Sequence, residues 1–137
     1  MGSAHMLRYN RAFIIILMLL VASLHFVTGP HYKGPFPHFV NGYLIDLLLP
    51  FALYFLLCMY DKHVFKYWPV RCCAIFLLGA TIETAQYYGV PIFGSTFDPL
   101  DYVAYALGVL LAALLDRIVI PRYFAMLIRK RIPEFGK

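Results

Sequence analysis

Long apolar runs, broken at intervals by Gly, Pro and short polar stretches, set the pattern of this chain. A helix needs about 20 apolar residues, within a range of roughly 17–25, to cross the hydrocarbon core of a bilayer. Four segments meet that requirement. The first covers about 12–28 and is ended by Gly29-Pro30, a helix-breaking pair. The second covers about 42–60, with Asn41 available as its cap. The third, about 70–88, is opened by Pro69 and closed by Gly89; the fourth, about 99–118, stops near Pro121. Connections of roughly 8 to 13 residues oblige neighbouring spans to run antiparallel. The pattern predicts an all-α polytopic membrane protein, a compact bundle of four transmembrane helices.

Composition leaves little room for anything else. The 137 residues are 62% hydrophobic and 14% charged, too apolar to include a separate water-soluble domain. One transmembrane domain over 6–120 is expected. Residues 1–5 (Met1-Gly2-Ser3-Ala4-His5) read as an expression scar, so His5 is set aside from any site. Small residues that could mark a signal cleavage, Ala22 and Ser23, lie inside the first run rather than at its end, which favours a retained span. Cys58, Cys72 and Cys73 form neither a disulfide framework nor a CxxC pair and read as small apolar side chains.

Charge gives the bundle a direction. Arg8 and Arg11 precede the first span, Lys62, Lys66 and Arg71 separate the second from the third, and Arg117, Arg122, Arg129, Lys130, Arg131 and Lys137 follow the fourth. Of the 12 Lys and Arg, only Lys33 falls on the other side. The positive-inside rule therefore places both termini in the cytoplasm, with 121–137 as a basic cytoplasmic tail. The tail suits either a short amphipathic helix on the inner leaflet or a plain stop-transfer segment. The net charge of +5 is then a topology signal, and no nucleic-acid-binding signature accompanies it.

With that direction, scattered polar residues gather at one depth. Asp46 lies about 6 Å, and Glu83 about 7–8 Å, below the outer ends of their spans at 1.5 Å per residue. His25 is near the outer end of the first span, and Asp101 sits in the first outer turn of the fourth. A carboxylate at mid-membrane costs roughly 2.5–3.5 kcal/mol on insertion scales, so each of these acids needs a partner or a use. Plain structural uses exist. Asp98-Pro99-Leu100-Asp101 reads as a capped helix start, and Pro50 frees the Asp46 carbonyl one turn back. Gly79, Glu83 and Gln86 share one helical face, which should look into the bundle; a hydrogen-bonded clamp to the second or fourth span and a working site are both open there. Tyr105 follows Asp101 by four residues and can bring its hydroxyl to the same place. Ala104, Gly108 and Ala112 form a small-xxx-small stripe, suited to core packing or to a homo-oligomer. His25, His31 and His38 match no compact metal-ligand spacing, so neither a metal nor any other cofactor is expected. Tyr43, Tyr60, Trp68 and Tyr88 read as interface anchors.

Ile82-Glu83-Thr84-Ala85-Gln86, followed by Phe93-Gly94-Ser95-Thr96-Phe97-Asp98-Pro99-Leu100-Asp101-Tyr102-Val103-Ala104-Tyr105-Ala106-Leu107-Gly108, resembles the VanZ-like membrane proteins. Their E-x-x-Q falls on Glu83 and Gln86, and their D-x-x-x-[N or Y]-x-x-G falls on Asp101, Tyr105 and Gly108. The match covers about 82–111, and the rest agrees in span number and spacing. Many members carry Asn where this chain has Tyr105; a Tyr-containing subgroup of uncharacterised bacterial domains fits better. The resemblance implies an integral protein of the bacterial cytoplasmic membrane, in a family connected with the cell envelope and glycopeptide-antibiotic resistance.

The expected function is non-enzymatic: an outward-facing polar pocket that binds a lipid headgroup, an envelope precursor or a glycopeptide-type ligand. Glu83, Gln86, Asp46, Asp101, Tyr105 and His25 would line it, and membrane lipids would be its constant partners. GxSxG, HExxH and P-loop motifs are all missing. The alternatives are a membrane enzyme on a lipid-linked substrate, with Glu83 and Asp101 as acid and base, or a small proton-coupled transporter subunit that must oligomerise.

Overall fold

The computed structural model describes residues 11–27, 32–60, 62–92 and 96–122, with side chains in the first stretch from 14 to 24. The proposed scar at 1–5, His31 and the tail beyond Arg122 lie outside the described residues. Those described are helical, without strands: α1 (Arg11–Val27), α2 (Pro37–Gly42), α3 (Leu44–Cys58), a 3₁₀ turn (His63–Lys66), α4 (Trp68–Tyr87) and α5 (Pro99–Leu114). α5 runs on through a π turn, Leu115–Val119.

Local chemistry sets most of these boundaries. Pro69 sits in the first turn of α4, where a missing N–H costs nothing, and Gly89 follows its end at φ 79°, a backbone conformation that disfavours a Cβ. The carboxylate of Asp98 accepts the Leu100 N–H at 2.9 Å, capping α5 ahead of Pro99 as its sequence predicts. One boundary differs from expectation. The second apolar run is divided: α2 ends at Gly42, a poor helix former, and α3 begins at Leu44, although hydrogen bonds from Tyr43 to Phe39 and from Leu47 to Tyr43 carry the chain across. The fourth run, expected over about 99–118 with a stop near Pro121, is helical as far as Arg122, the last described residue. The Ile120 N–H reaches the Leu115 carbonyl, and the widened turn carries the helix on past a residue that cannot donate to the preceding turn.

Among the described residues, two helices are long and apolar enough to cross a membrane, Trp68–Tyr87 and the continuous helix Pro99–Arg122. α3 is shorter, and in α1 the described side chains cover only Ile14–Leu24.

Contacts fix the order of packing. α3 lies at the centre, against α1, α4 and α5, while α4 also packs on α5. Asp46 pairs with Tyr105 and Tyr54 with Asp116, so α3 and α5 run parallel; Tyr102 with Thr84, lower on one helix and higher on the other, fits an antiparallel α4 and α5. Close approach of α3 and α5 depends on Gly108, where a Cβ would overlap the Leu47 carbonyl oxygen. Ala104, Gly108 and Ala112 are all buried. That stripe packs within the chain, the core-packing use its spacing suits.

The outer faces are apolar. Ile15, Ile16, Leu19 and Leu20 on α1, Leu77 and Leu78 on α4, and Val103, Leu107 and Leu110 on α5 are exposed. The residues withdrawn from the surface include Arg71, Glu83 and Asp101. This reverses the usual distribution of a water-soluble protein, where an exposed apolar residue is ordinary but buried charge is rare.

Candidate functional site

The polar side chains of the core form two clusters, one at each end of the α3–α4–α5 bundle. The upper cluster lies where α3 and α5 begin and α4 ends; the lower one adjoins the 3₁₀ turn.

Glu83 is the centre of the upper cluster, with 2% of its surface exposed. The Tyr105 hydroxyl stands 3.0 Å from Glu83 Oε1 and 3.3 Å from Asp46 Oδ1, so one phenol links acids from α3 and α4. Its single proton cannot be given fully to both, so the trio shares fewer protons than it has acceptors. Gly79 makes room for the phenol: a Cβ there would meet the Tyr105 ring edge. The Asp98 N–H points to Glu83 Oε2 at the long distance of 3.5 Å, and Asp98 Oδ2 accepts the Tyr43 hydroxyl at 2.8 Å. Asp101 is buried at 9% exposure, and its Oδ1 has no hydrogen-bond partner.

These acids stand on the wall of one cavity of about 1060 Å³. Asp46, Glu83, Asp98 and Asp101 line its upper part, with Tyr43, Tyr105, Gln86 and His38. Met18 and Val21 of α1, Leu49 and Leu53 of α3, and Ile75, Leu78 and Ile82 of α4 line the remainder. Leu53 lies seven residues below Asp46 and Ile75 eight below Glu83, so the apolar part descends roughly 10–12 Å at 1.5 Å per residue. Among the described residues α1 packs on α3 and makes no close approach to α4, which leaves the trough between them. No Lys or Arg is in the lining among the described residues.

Five of the six candidate site residues from sequence therefore share this cavity: Asp46, Glu83, Gln86, Asp101 and Tyr105. Gln86 does not bond to Glu83; its amide donates to the Ile92 carbonyl at 2.9 Å and ties down the segment after α4. The clamp considered for Glu83 exists, but runs through Tyr105. The backbone of His25 is in α1, and its side chain lies outside the described residues. Tyr43 and the second role of Asp98 were not legible as site features. Tyr43 precedes Asp46 by three residues on the same face, a spacing that could have found it. No group of three or more His, Cys, Asp or Glu among the described residues is arranged to hold a metal ion.

The lower cluster has another character. Arg71 Nη2 pairs with Asp116 Oδ2 at 3.1 Å, and the Tyr54 hydroxyl donates to the same oxygen at 2.7 Å. The guanidinium lies over the Tyr54 ring, 4.7 Å from its centre, and its Nη1 contacts the Cys58 sulfur. Both ion-pair side chains are largely buried, at 9% and 13% exposure. Sequence reading counted Arg71 only as a topology charge and Cys58 only as an apolar filler. Their proximity to Asp116 depends on how α3, α4 and α5 pack, and the π turn that includes Asp116 leaves no pattern in the sequence.

Comparison with protein-family models, with curated proteins and with solved structures gave no match for this chain.

Proposed function

We propose that the chain is a four-span, VanZ-like integral protein of the bacterial cytoplasmic membrane, with both termini in the cytoplasm and the upper cavity facing outward. In this reading the apolar outer faces meet lipid, the lower cluster lies toward the cytoplasm beside the basic connection, and α1 and α3 complete the bundle alongside the two longer helices. A membrane-impermeant amine reagent applied to intact cells would then label Lys33 and spare Lys62 and Lys66. Labelling of all three, or of Lys62 and Lys66 alone, would refute the topology.

The function that fits this arrangement is non-enzymatic binding of a ligand with a polar head: a lipid headgroup, an envelope precursor or a glycopeptide-type molecule. The carrying observation is that Glu83, buried to 2% exposure, adjoins a cavity whose wall includes three further acids. Intramembrane ionisable groups are costly and usually functional. The test is native mass spectrometry of protein released from lipid nanodiscs, wild type beside Glu83→Ala, with circular dichroism to check folding. A discrete retained species in the wild type that disappears in the folded variant supports the site. Retention unaffected by the substitution, or no retained species in either, opposes it.

A further inference from the structure

The two halves of the cavity differ in chemistry, and the difference selects a class of ligand. Its upper wall carries four carboxyl groups, Asp46, Glu83, Asp98 and Asp101, with no Lys or Arg among the described lining residues to balance them. Internal hydrogen bonds occupy much of this set: Tyr105 serves Glu83 and Asp46, while Tyr43 and the Leu100 N–H serve Asp98. Asp101 is different. It is more than nine-tenths buried, it lines the cavity, and its Oδ1 has no partner. A buried carboxyl oxygen without a donor is costly, and a donor supplied by a ligand would remove the cost. Below it runs an apolar trough walled by Met18, Leu49, Leu53, Ile75 and Leu78, lying between α1 and α4. A headgroup without a cationic group would leave the acids uncompensated. A small soluble cation would leave the trough unfilled.

We propose that the cavity takes an amphiphile whose head is a protonated primary amine, its ammonium donating to Asp101 with Glu83 and Asp46 in support, and its apolar stem lying between α1 and α4. The membrane source of that chemistry is an aminophospholipid. An ammonium has three donors and no acceptor, which matches a wall rich in acceptors. This rests on the binding role proposed for the cavity and assigns that role a ligand class.

The test keeps the full chain and varies the head of the probe. Wild-type protein in one detergent is titrated with dioleoylphosphatidylethanolamine, its N-acetylated form, dioleoylphosphatidylglycerol and free ethanolamine, and retained adducts are counted by native mass spectrometry. The ethanolamine lipid should be retained at least tenfold more than its N-acetylated or glycerol counterparts, and free ethanolamine should neither be retained nor displace it. Asp101→Asn should bring retention of the ethanolamine lipid down to that of the glycerol lipid. Equal retention of all three lipids, or displacement by free ethanolamine at matched concentration, overturns the proposal. The wild-type series decides the matter even if the variant does not fold. The two levels of inference fail differently: selective retention of the glycerol lipid, lost in Glu83→Ala, refutes the amine and leaves the pocket standing. No retained lipid of any kind refutes both.

Discussion

The two buried polar clusters use similar residue types to opposite ends. At the lower end Arg71 faces Asp116, Tyr54 donates to the same carboxylate, and the guanidinium also stacks on the Tyr54 ring. One cation meets one anion, although Arg71 Nε is left without a hydrogen-bond partner. At the upper end Asp46, Glu83, Asp98 and Asp101 gather with tyrosines, Gln86 and His38, and with no Lys or Arg among the described lining residues, along an open cavity. The lower cluster is charge-balanced and completes a fold. The upper one gathers four acids without a Lys or Arg in its described lining, the imbalance on which the proposed binding role rests. Burial of ionisable groups therefore does not by itself mark function; the informative property is whether the protein supplies its own counter-charge.

That contrast can be broken by substitution. The largest effect belongs to Arg71→Met, which leaves Asp116 buried beside Tyr54 without its cation. Removing one partner of a buried pair costs about 3–5 kcal/mol, and the thermal unfolding midpoint in detergent should fall accordingly. A change under about 1 kcal/mol, the scale of an exposed pair, would mean the lower cluster is solvated.

Next comes Gly108→Ala. Its Cβ would overlap the Leu47 carbonyl oxygen, so α3 and α5 must separate, at about 1–3 kcal/mol for an overpacked core. Both clusters span these two helices, so crosslinking between positions 54 and 116 and between 46 and 105 should weaken together. Loss at one end alone would show that the clusters are held independently of that contact.

A smaller effect of opposite sign is expected at the upper end. Glu83→Gln removes one of several like charges and keeps the side-chain volume, so the protein should gain about 0.5–2 kcal/mol, as sites held for function rather than stability do when relaxed. Lipid retention should fall in the same variant. A destabilisation similar to that of Arg71→Met would make Glu83 a structural residue.

The smallest effect is the coupling between the ends. Arg71 and Glu83 are twelve residues apart on α4, roughly 18 Å at 1.5 Å per residue. Sites so far apart should add within about 0.3–0.5 kcal/mol. A double variant Arg71→Met with Glu83→Gln that departs further would show that the two ends communicate.

How much of this was legible in the sequence depended on whether a feature is local. Pro69, Gly89 and the Asp98-Pro99 cap mark helix ends through chemistry within a few residues, and the helices begin and end beside them. Glu83, Asp46, Asp101 and Tyr105 could be placed together because each stands out in an apolar run and helical rise gives its depth. Gln86 shares a face with Glu83, yet its amide turns to the Ile92 carbonyl, a choice made by the loop after α4. The break at Gly42-Tyr43 and the π turn before Pro121 lay beyond a hydropathy window, which sees apolar content but not backbone hydrogen-bond register. Arg71 with Asp116 was hidden for a related reason. A basic residue at a helix end reads as a topology signal until three-dimensional packing brings its partner from 45 residues away.

The most direct test of the contrast is a paired measurement of unfolding midpoints for Asp116→Asn and Glu83→Gln in the same detergent, each against wild type. Both replace one buried carboxylate by its amide with little change of volume. We expect the midpoint of Asp116→Asn to fall, because Arg71 loses its counter-charge, and that of Glu83→Gln to hold or rise. Equal falls in the two variants would contradict the division of the molecule into a balanced structural cluster and an acid-rich cluster proposed to bind.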